Sequence, residues 1–477
     1  MGLSNGSGGD VDCRPPTSSR RKFMAALANP TAKKTVLRKP AAPRPTRSMA
    51  VALRELPGDW KILCEGIGER RAGTTGERRA AEFIVQRLRD AGIPRVRTEL
   101  FPCTSLHSAR AEVQALTGKA WRKVEAAVLV GAPSTPGQVP VEGPLVWLEM
   151  PEAGHRLRPG GMRGQILGLF GPMPTSAAMH RRLVAAEPLA VIHIDERFPL
   201  SWTKNDGVYP YWARRYGMPP TLTVPYTEAW RWRCDGVARL RVRAVADLRR
   251  AESQNVVGEL PGLEPRLPGL IITAHHDTQC GNPGADDNGS GVVSLLTLAR
   301  ALAGHSWRRT IQFASFGAEE QLSVGSTAFV RRHKTGTERT GLVLNFDSVA
   351  SPLGHFSLWL AGDPRLARFA TRRLAQGGLD AEVRHVITPF VDCFPFNRAG
   401  IPSIWFRRTN FVGGRWQHHS RHDTLANVSV TELSRLLTAV GPLVHDLANR
   451  KTWPFEGRLN RTQRAGAVRI SRELLGW

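Results

Sequence analysis

The sequence has no run of eighteen or more apolar residues, so it offers no candidate for a membrane-crossing helix. Lysine is scarce, with 10 among 66 basic side chains, so the formal charge of +25 rests on arginine spread along the whole chain. A nucleic-acid surface would cluster its cations and interleave aromatics. The excess therefore reads as an arginine-rich composition with no specific nucleic-acid partner, although such a surface adheres weakly to polyanions. The six cysteines (Cys13, Cys64, Cys103, Cys234, Cys280, Cys393) form no C-x-x-C pair. That excludes a disulfide scaffold and a zinc knuckle. Tyrosine is rarer still, with four residues, all between Tyr209 and Tyr226.

At 477 residues the chain has room for two to four domains and a large core. Residues 1–50, rich in Ser, Pro, Gly, Arg and Lys without periodicity, read as a disordered basic tail. Within it Ser19–Met24 resembles a twin-arginine export signal. The Ala25–Lys34 stretch is too short and polar for the apolar region that must follow, so cytoplasmic residence is expected and export is the alternative. Residues 51–118 read as helical up to Gly92, then as a strand from Val96 to Phe101. Residues 119–246 change character, with short β-like runs (Ala127–Val130, Leu145–Leu148, Ile166–Phe170, Leu189–Ile194) between Pro/Gly turns. This reads as an inserted β-rich domain, with Tyr209, Tyr211, Trp212 and Tyr216 as core or interface. Residues 247–450 resume an α/β pattern, and 451–477 form a basic C-terminal extension.

The most informative stretch runs from Gly269 to Glu320. Leu270–Ala274 and Thr310–Phe316 have the length and branching of buried strands, and Gly291–Leu302 between them reads as a helix capped by Asn288 or Ser290. A strand–helix–strand unit implies a parallel pair with a crossover helix. The expected fold is a mixed, mostly parallel α/β sheet flanked by helices. Ligands bind such sheets at the carboxyl ends of the strands. His275 and Asp277 follow the first strand, and Glu319 and Glu320 follow the second. Asp347 ends a third, Leu342–Phe346.

Together with Asp287 and His419 these residues supply two imidazoles and several carboxylates, at separations too long for a knuckle. Imidazole with carboxylate suits Zn²⁺, whereas Ca²⁺ and Mg²⁺ take oxygen ligands. Two metals about 3.5–4 Å apart can share one carboxylate. One of the adjacent glutamates is then free as a general base. Each residue taken singly has an ordinary reading: Asp286–Gly289 as a turn, Glu319–Glu320 as a solvated pair, Asp347 as a helix cap. The succession of strand ends carrying metal-compatible groups outweighs those readings.

The segments A-H-H-D (274–277), P-G-A-D-D-N-G-S-G (283–291), F-G-A-E-E (316–320) with Gly325-Ser326, and N-F-D (345–347) resemble the M28 family of co-catalytic zinc peptidases. So do D-C-F-P-F (392–396), A-G-I-P (399–402) and H-S-R-H-D-T-L (419–425). The resemblance spans about 55–118 and 247–447, and the insert resembles, less specifically, a protease-associated (PA) domain. It implies an aminopeptidase with two Zn²⁺ per chain that cleaves at a peptide or protein N-terminus. His275 and Asp347 would hold one ion and Glu320 and His419 the other, with Asp287 bridging. Glu319 would be the general base, and Asp277 would orient the His275 ring. His276, His418 and His422 are adjacent candidates for the histidine roles. The same resemblance admits a one-zinc glutaminyl cyclase, a carboxypeptidase or a non-catalytic binding relative. The tyrosine that some relatives place before the segment at Asp392 is absent, since Thr388–Val391 stands there. Phe390, Phe394, Phe396, Trp405, Phe411 and Trp416 must divide between core and pocket, and sequence does not sort them.

Overall fold

The computed structural model describes residues 47–477 apart from 151, 198, 334–338 and 412–414. The tail expected over 1–50, including the arginine pair, lies outside the described residues up to 46. Its last residues open helix α1 (Arg47–Lys61). Met49, Ala52, Leu56 and Trp60 recur at helical spacing and are buried. Helix α2 (Thr75–Asp90) follows.

Next come two strands of a hairpin, β1 (Arg97–Thr117) and β2 (Ala120–Val124), then β3 (Ala127–Val128), β4 (Val141–Glu149) and β5 (Ile166–Phe170). After helix α3 (Ala177–Ala185) and β6 (Ala190–Ile194) come α4 (Pro210–Tyr216), β7 (Thr221–Thr223) and α5 (Tyr226–Cys234). The return strand is β8 (Arg239–Leu260), followed by β9 (Gly269–His275), α6 (Gly291–Leu302), β10 (Ile311–Phe316) and α7 (Val324–Arg332). The last strands are β11 (Thr340–Phe346), β12 (His355–Ala361), β13 (Glu382–His385) and β14 (Ser403–Thr409).

All of these strands join one sheet in the order β13-β12-β14-β11-β9-β10-β8-β4-β5-β6-β7-β3, with β1 on β8 and β2 on β1. Strands β14, β11, β9 and β10 run parallel. Every residue of β9 and β11 is buried, as a sheet covered on both faces requires. Leu270, Ile272, Leu342 and Leu344 point into one layer with α1, α2, α6 and the helix Val430–Asn449. Ile271 and Val343 point into the other, against Phe329 of α7 and Phe396. The sequence-derived crossover between β9 and β10 is thus parallel, with β8 antiparallel beyond it.

The feature least expected from sequence is the ribbon of β1 and β8. They pair antiparallel from Arg97↔Val257 to Ala115↔Leu240 with one irregularity at Leu106/Ser108. At its proximal end β8 pairs with β10, and at its distal end with β4. The strand expected at 96–101 therefore continues to Thr117, and position 246 falls inside β8 rather than between elements. The lobe between the two strands has its own core, including Ile166, Ile192, Leu222 and Trp232. Its strands β4, β5, β6 and β7 are parallel, and three short helices accompany them.

The C-terminal extension ends in a helix, Arg461–Leu474, started by an Asn460/Gln463 capping box. Its Glu473 carbonyl accepts the Trp212 indole N–H at 2.7 Å, which ties the extension to α4. Among the described residues no helix is long and apolar enough to cross a membrane.

Candidate metal centre

The carboxyl ends of β9, β10 and β11 converge, and the segment 284–291 is laced beneath them. Asn288 caps α6 through its side chain, with Oδ1 accepting the Gly291 N–H at 2.8 Å while Nδ2 donates to the Phe346 carbonyl at 2.9 Å. Gly291 is required there, because a Cβ would lie 2.2 Å from that carbonyl. Asp286 Oδ1 accepts the Ala350 N–H, and Ser290 Oγ accepts that of Val349. Below, the Asp423 carboxylate accepts the N–H groups of Asp286 and Asp287 at 2.6 and 2.9 Å. These bonds fix Asp287 against the end of β11.

Asp287 is buried, and its two oxygens face opposite histidines. Oδ1 lies 3.1 Å from His275 Nε2, and Oδ2 lies 2.8 Å from His418 Nε2 and 3.4 Å from His419 Nε2. His419 Nε2 is also 3.0 Å from Glu320 Oε2, and Glu319 Oε2 is 3.9 Å from His275 Nε2. Asp277 sits behind, with its carboxylate accepting the N–H groups of Glu319 and Glu320 at 2.9 and 3.2 Å and lying 3.5 Å from His275 Nδ1. Asp347 accepts the Ser348 hydroxyl at 3.0 Å and meets the cluster through Arg415, 3.8 Å away. So six of the seven expected residues touch one another directly. Asp347 joins through a guanidinium that sequence reasoning missed.

Arg415 is buried and donates to Asp287 Oδ2 at 2.9 Å. Its charge and the three imidazoles hold Asp287 well below the usual carboxylate range, against the opposing effect of burial. Burial pushes the His275 imidazole down, but Glu319, Asp277 and Asp287 outweigh it and raise it well above its ordinary value. His419 behaves likewise: burial opposes, and Glu320, Asp206 and Asp287 raise it. His418, buried beside Arg415 and His419, falls well below. Burial, with Asp392, Glu320 and Asp347 nearby, raises Glu319 well above the carboxylate range.

The fit to a metal can be judged on these groups. His275, Asp287 and Glu320 bring one ligand atom each within 4.8 Å of the others. Glu320 Oε1 is buried with no hydrogen-bond partner among the described residues, an orphan acceptor on a residue whose Oε2 meets His419. Nitrogen and carboxylate oxygen together suit a first-row divalent ion. The residues fit such a group.

Five of the eight non-glycine residues with left-handed backbone among the described residues flank this cluster: Ala318, Leu322, Ser323, Ser348 and His419. Strain of this kind gathers at functional sites.

Two buried arginines and one carboxylate escaped the sequence reading. Besides Arg415, Arg70 is fully buried and donates to the carbonyls of Leu63, Gly68, His276, Pro283 and Gly284. It thereby clamps the loop between His275 and Asp287. Asp206, from the inserted lobe, lies 2.6 Å from His419 Nδ1. Around the mouth, Phe390 and Trp416 are half exposed, whereas Phe394, Phe396 and Trp405 are core. The lobe adds Trp202, 5.4 Å from Trp416, and Tyr209, 6.5 Å from Phe390, ring centre to ring centre.

Comparison with known proteins follows this arrangement. The model of peptidase family M28 matches residues 255–444, the segment that carries every group of the cluster except Asp206. Over residues 255–444 the chain is similar to M28 peptidases.

Aminopeptidase YwaD of Bacillus subtilis is 26% identical over 227 residues, 42% of this chain and 46% of the relative. Leupeptin-inactivating enzyme 1 of Streptomyces exfoliatus is 27% identical over 209 residues, 40% and 47% respectively. A vacuolar membrane protease of Schizosaccharomyces japonicus is 28% identical over 216 residues, 43% of this chain and 24% of the relative. The chain spans less than half the length of these relatives. Among solved structures, the aminopeptidase from Aneurinibacillus sp. strain AM-1 superposes with a TM-score of 0.67 at 20% identity, over 85% of this chain and 96% of its own. BSAP, a zinc aminopeptidase from Bacillus subtilis, gives 0.67 at 20% over 86% and 98%. A peptidase M28 precursor from Shewanella amazonensis SB2B gives 0.69 at 18% over 86% and 98%. The M28 domain and the lobe inserted before it therefore share their fold with these structures.

Proposed function

We propose that this chain is a zinc-dependent aminopeptidase that holds two zinc ions and hydrolyses the N-terminal bond of peptides or proteins. The observation that carries the reading is the Asp287 carboxylate, each oxygen facing a different imidazole, His275 on one side and His419 on the other. A carboxylate so placed suits a bridge between two metals. His275 with Asp347, and Glu320 with His419, are the flanking ligand pairs. His418 touches the same oxygen of Asp287 and is the competing candidate. The His419 assignment is favoured because its Nε2 also meets Glu320.

Two zinc ions bound there would polarise the scissile carbonyl and make water nucleophilic near neutral pH. Glu319 is the general base, with the charge of bound zinc offsetting the burial and neighbouring carboxylates that otherwise hold its proton. Its carboxylate is tied neither to Asp287 nor to Arg415, and the Ser323 hydroxyl donates to its Oε1 at 3.3 Å, leaving Oε2 on the cluster side near His275. It takes a proton from the attacking water and returns it to the departing amine. Asp277 positions that base, since its carboxylate anchors the Glu319 and Glu320 backbone while facing His275 Nδ1. The inserted lobe is PA-like in this reading, and its Trp202 and Tyr209 help wall the substrate entrance.

Asp287→Ala tests the bridge. The variant should lose zinc from both positions and lose activity, as measured by metal content of the purified protein. Full zinc occupancy with normal turnover would overturn the two-metal reading.

A further inference from the structure

The inserted lobe reaches into the metal centre as well as its mouth. Three successive residues of the lobe, Lys204, Asn205 and Asp206, run beside the segment that carries His419. The Asn205 N–H donates to the His419 carbonyl at 2.7 Å. Asp206 Oδ1 lies 2.6 Å from His419 Nδ1, while Asp206 Oδ2 is paired with the Lys204 ammonium. Lys204 is itself buried and 3.8 Å from Asp195, so the Asp206 carboxylate is held from behind. Two further contacts pin the same segment: Glu125 of the lobe pairs with Arg421 at 2.7 Å, and Trp202 packs 4.6 Å from His422 between ring centres.

We propose that Asp206 is a positioning residue for the metal centre, supplied by the inserted lobe, that fixes the ring orientation and tautomer of His419. The proposal rests on the reading of His419 as a zinc ligand. Asp206, His418 and His419 also bring ligand atoms within 4.8 Å of one another, and the side of the His419 ring that Asp206 meets favours positioning over ligation. Asp206 meets Nδ1, whereas Asp287 and Glu320 meet Nε2 on the opposite side of the ring. A carboxylate on the outer nitrogen keeps a proton at Nδ1 and leaves the Nε2 lone pair free for a metal. Asp277 stands behind His275 in a looser version of this relation, its backbone carbonyl 3.2 Å and its carboxylate 3.5 Å from Nδ1. One outer carboxylate therefore comes from the M28 domain and the other from the lobe. His419 has left-handed backbone (φ 56°), an arrangement that needs holding from outside. The lobe thus completes one half of the site, and zinc affinity depends on how it is seated.

The test is a zinc titration of the metal-free full-length protein against a competing chromophoric chelator, which resolves two binding constants. Loss of an outer-shell partner weakens metal affinity about 10–100-fold. Asp206→Ala should show that loss at one of the two positions and leave the other within about twofold. Asp206→Asn, whose amide oxygen still accepts from Nδ1 without the charge, should fall between it and the parent. Asp206→Ala also strands the buried Lys204 ammonium and should lower the melting temperature of the metal-free protein, so a loss confined to one of the two constants, which a general folding defect would not give, identifies positioning. Unchanged constants in Asp206→Ala, or equal losses at both positions, would overturn the positioning role while leaving the two-zinc reading in place. A parent chain that binds no zinc would overturn both.

Discussion

Replacing Arg70 tests whether the metal-bearing loop is held by one buried side chain. Its guanidinium is fully buried and, among the described residues, faces no carboxylate at ion-pair distance. Instead Nε donates to the His276 carbonyl at 2.9 Å, Nη2 to Gly284 at 2.9 Å, and Nη1 to Gly68 and Pro283 at 2.8 Å and Leu63 at 3.3 Å. Three of those carbonyls lie between His275 and Asp287, and the other two lie just after α1. Arg70→Lys keeps the charge but supplies three donors on a point ammonium in place of a planar fork. Leu63 and Gly284 keep a backbone N–H, from Gly68 and Gly289, so the loss falls on the Gly68, His276 and Pro283 carbonyls, which a point ammonium does not reach together; each buried acceptor so stranded costs about 1–3 kcal/mol. The expected loss is about 1 kcal/mol or more, an appreciable fraction of the roughly 5–15 kcal/mol that holds a typical protein folded. It should appear as a lower urea midpoint at unchanged slope. Because the His276 and Pro283 carbonyls belong to the loop between the two ligands, zinc retention should fall in parallel. A midpoint within about 0.5 kcal/mol of the parent, with zinc retained, would refute the clamp.

Glu319→Gln should lower kcat by about 10²–10⁴ while zinc content stays unchanged, because the general base contributes at that scale and the residue is not a ligand; loss of zinc in this variant would instead make Glu319 a ligand. Asp363 gives a pH-dependent prediction away from the site. It caps the helix Pro364–Gln376, its Oδ1 accepting the Arg365 N–H at 2.8 Å, and the Arg365 side chain lowers its carboxyl to about 2. A carboxylate depressed in the folded state contributes stability that is fully present above its unfolded value of about 4 and is lost as pH falls through about 2. Solvent screening at the surface keeps that contribution under about 1 kcal/mol. Asp363→Asn retains the cap and removes the charge, so parent and variant should differ at pH 7 in chemical denaturation and converge near pH 2; a difference that does not change with pH would refute the charge as its source.

Much of the M28 domain was legible because its chemistry is local. The runs in β9, β10 and β11 are almost wholly buried; β9 ends on His275, β11 is followed at once by Asp347, and β10 by Glu319 three residues on. Asn288 and Gly291 lie within the same short motif as Asp287, so turn, cap and carboxylate could be read together. The ribbon of β1 and β8 was not legible. Just beyond Phe101 β1 is mostly polar, its distal apolar residues (Val113, Ala115, with Leu240, Val242 and Ala244 of β8) pack on the lobe core, and the two strands pair across more than a hundred residues, which no local pattern reveals. Arg70, Asp206 and Arg415 were invisible for a related reason. Each is one charged residue among many in an arginine-rich chain, and only the fold brings Arg70 to loop carbonyls more than 200 residues away. The tyrosines showed the reverse. Their absence near Asp392 was plain in the sequence, yet only the fold brings Tyr209 of the lobe beside Phe390.

The most direct test of a two-zinc aminopeptidase measures zinc bound per chain in the purified full-length protein, together with hydrolysis of free and N-acetylated aminoacyl anilides. The account predicts two zinc ions per chain, cleavage of the free substrate, loss of that cleavage on chelation and recovery on adding zinc. It also predicts that N-acetylation abolishes turnover. A single zinc at full activity, or equal cleavage of free and acetylated substrates, would contradict it.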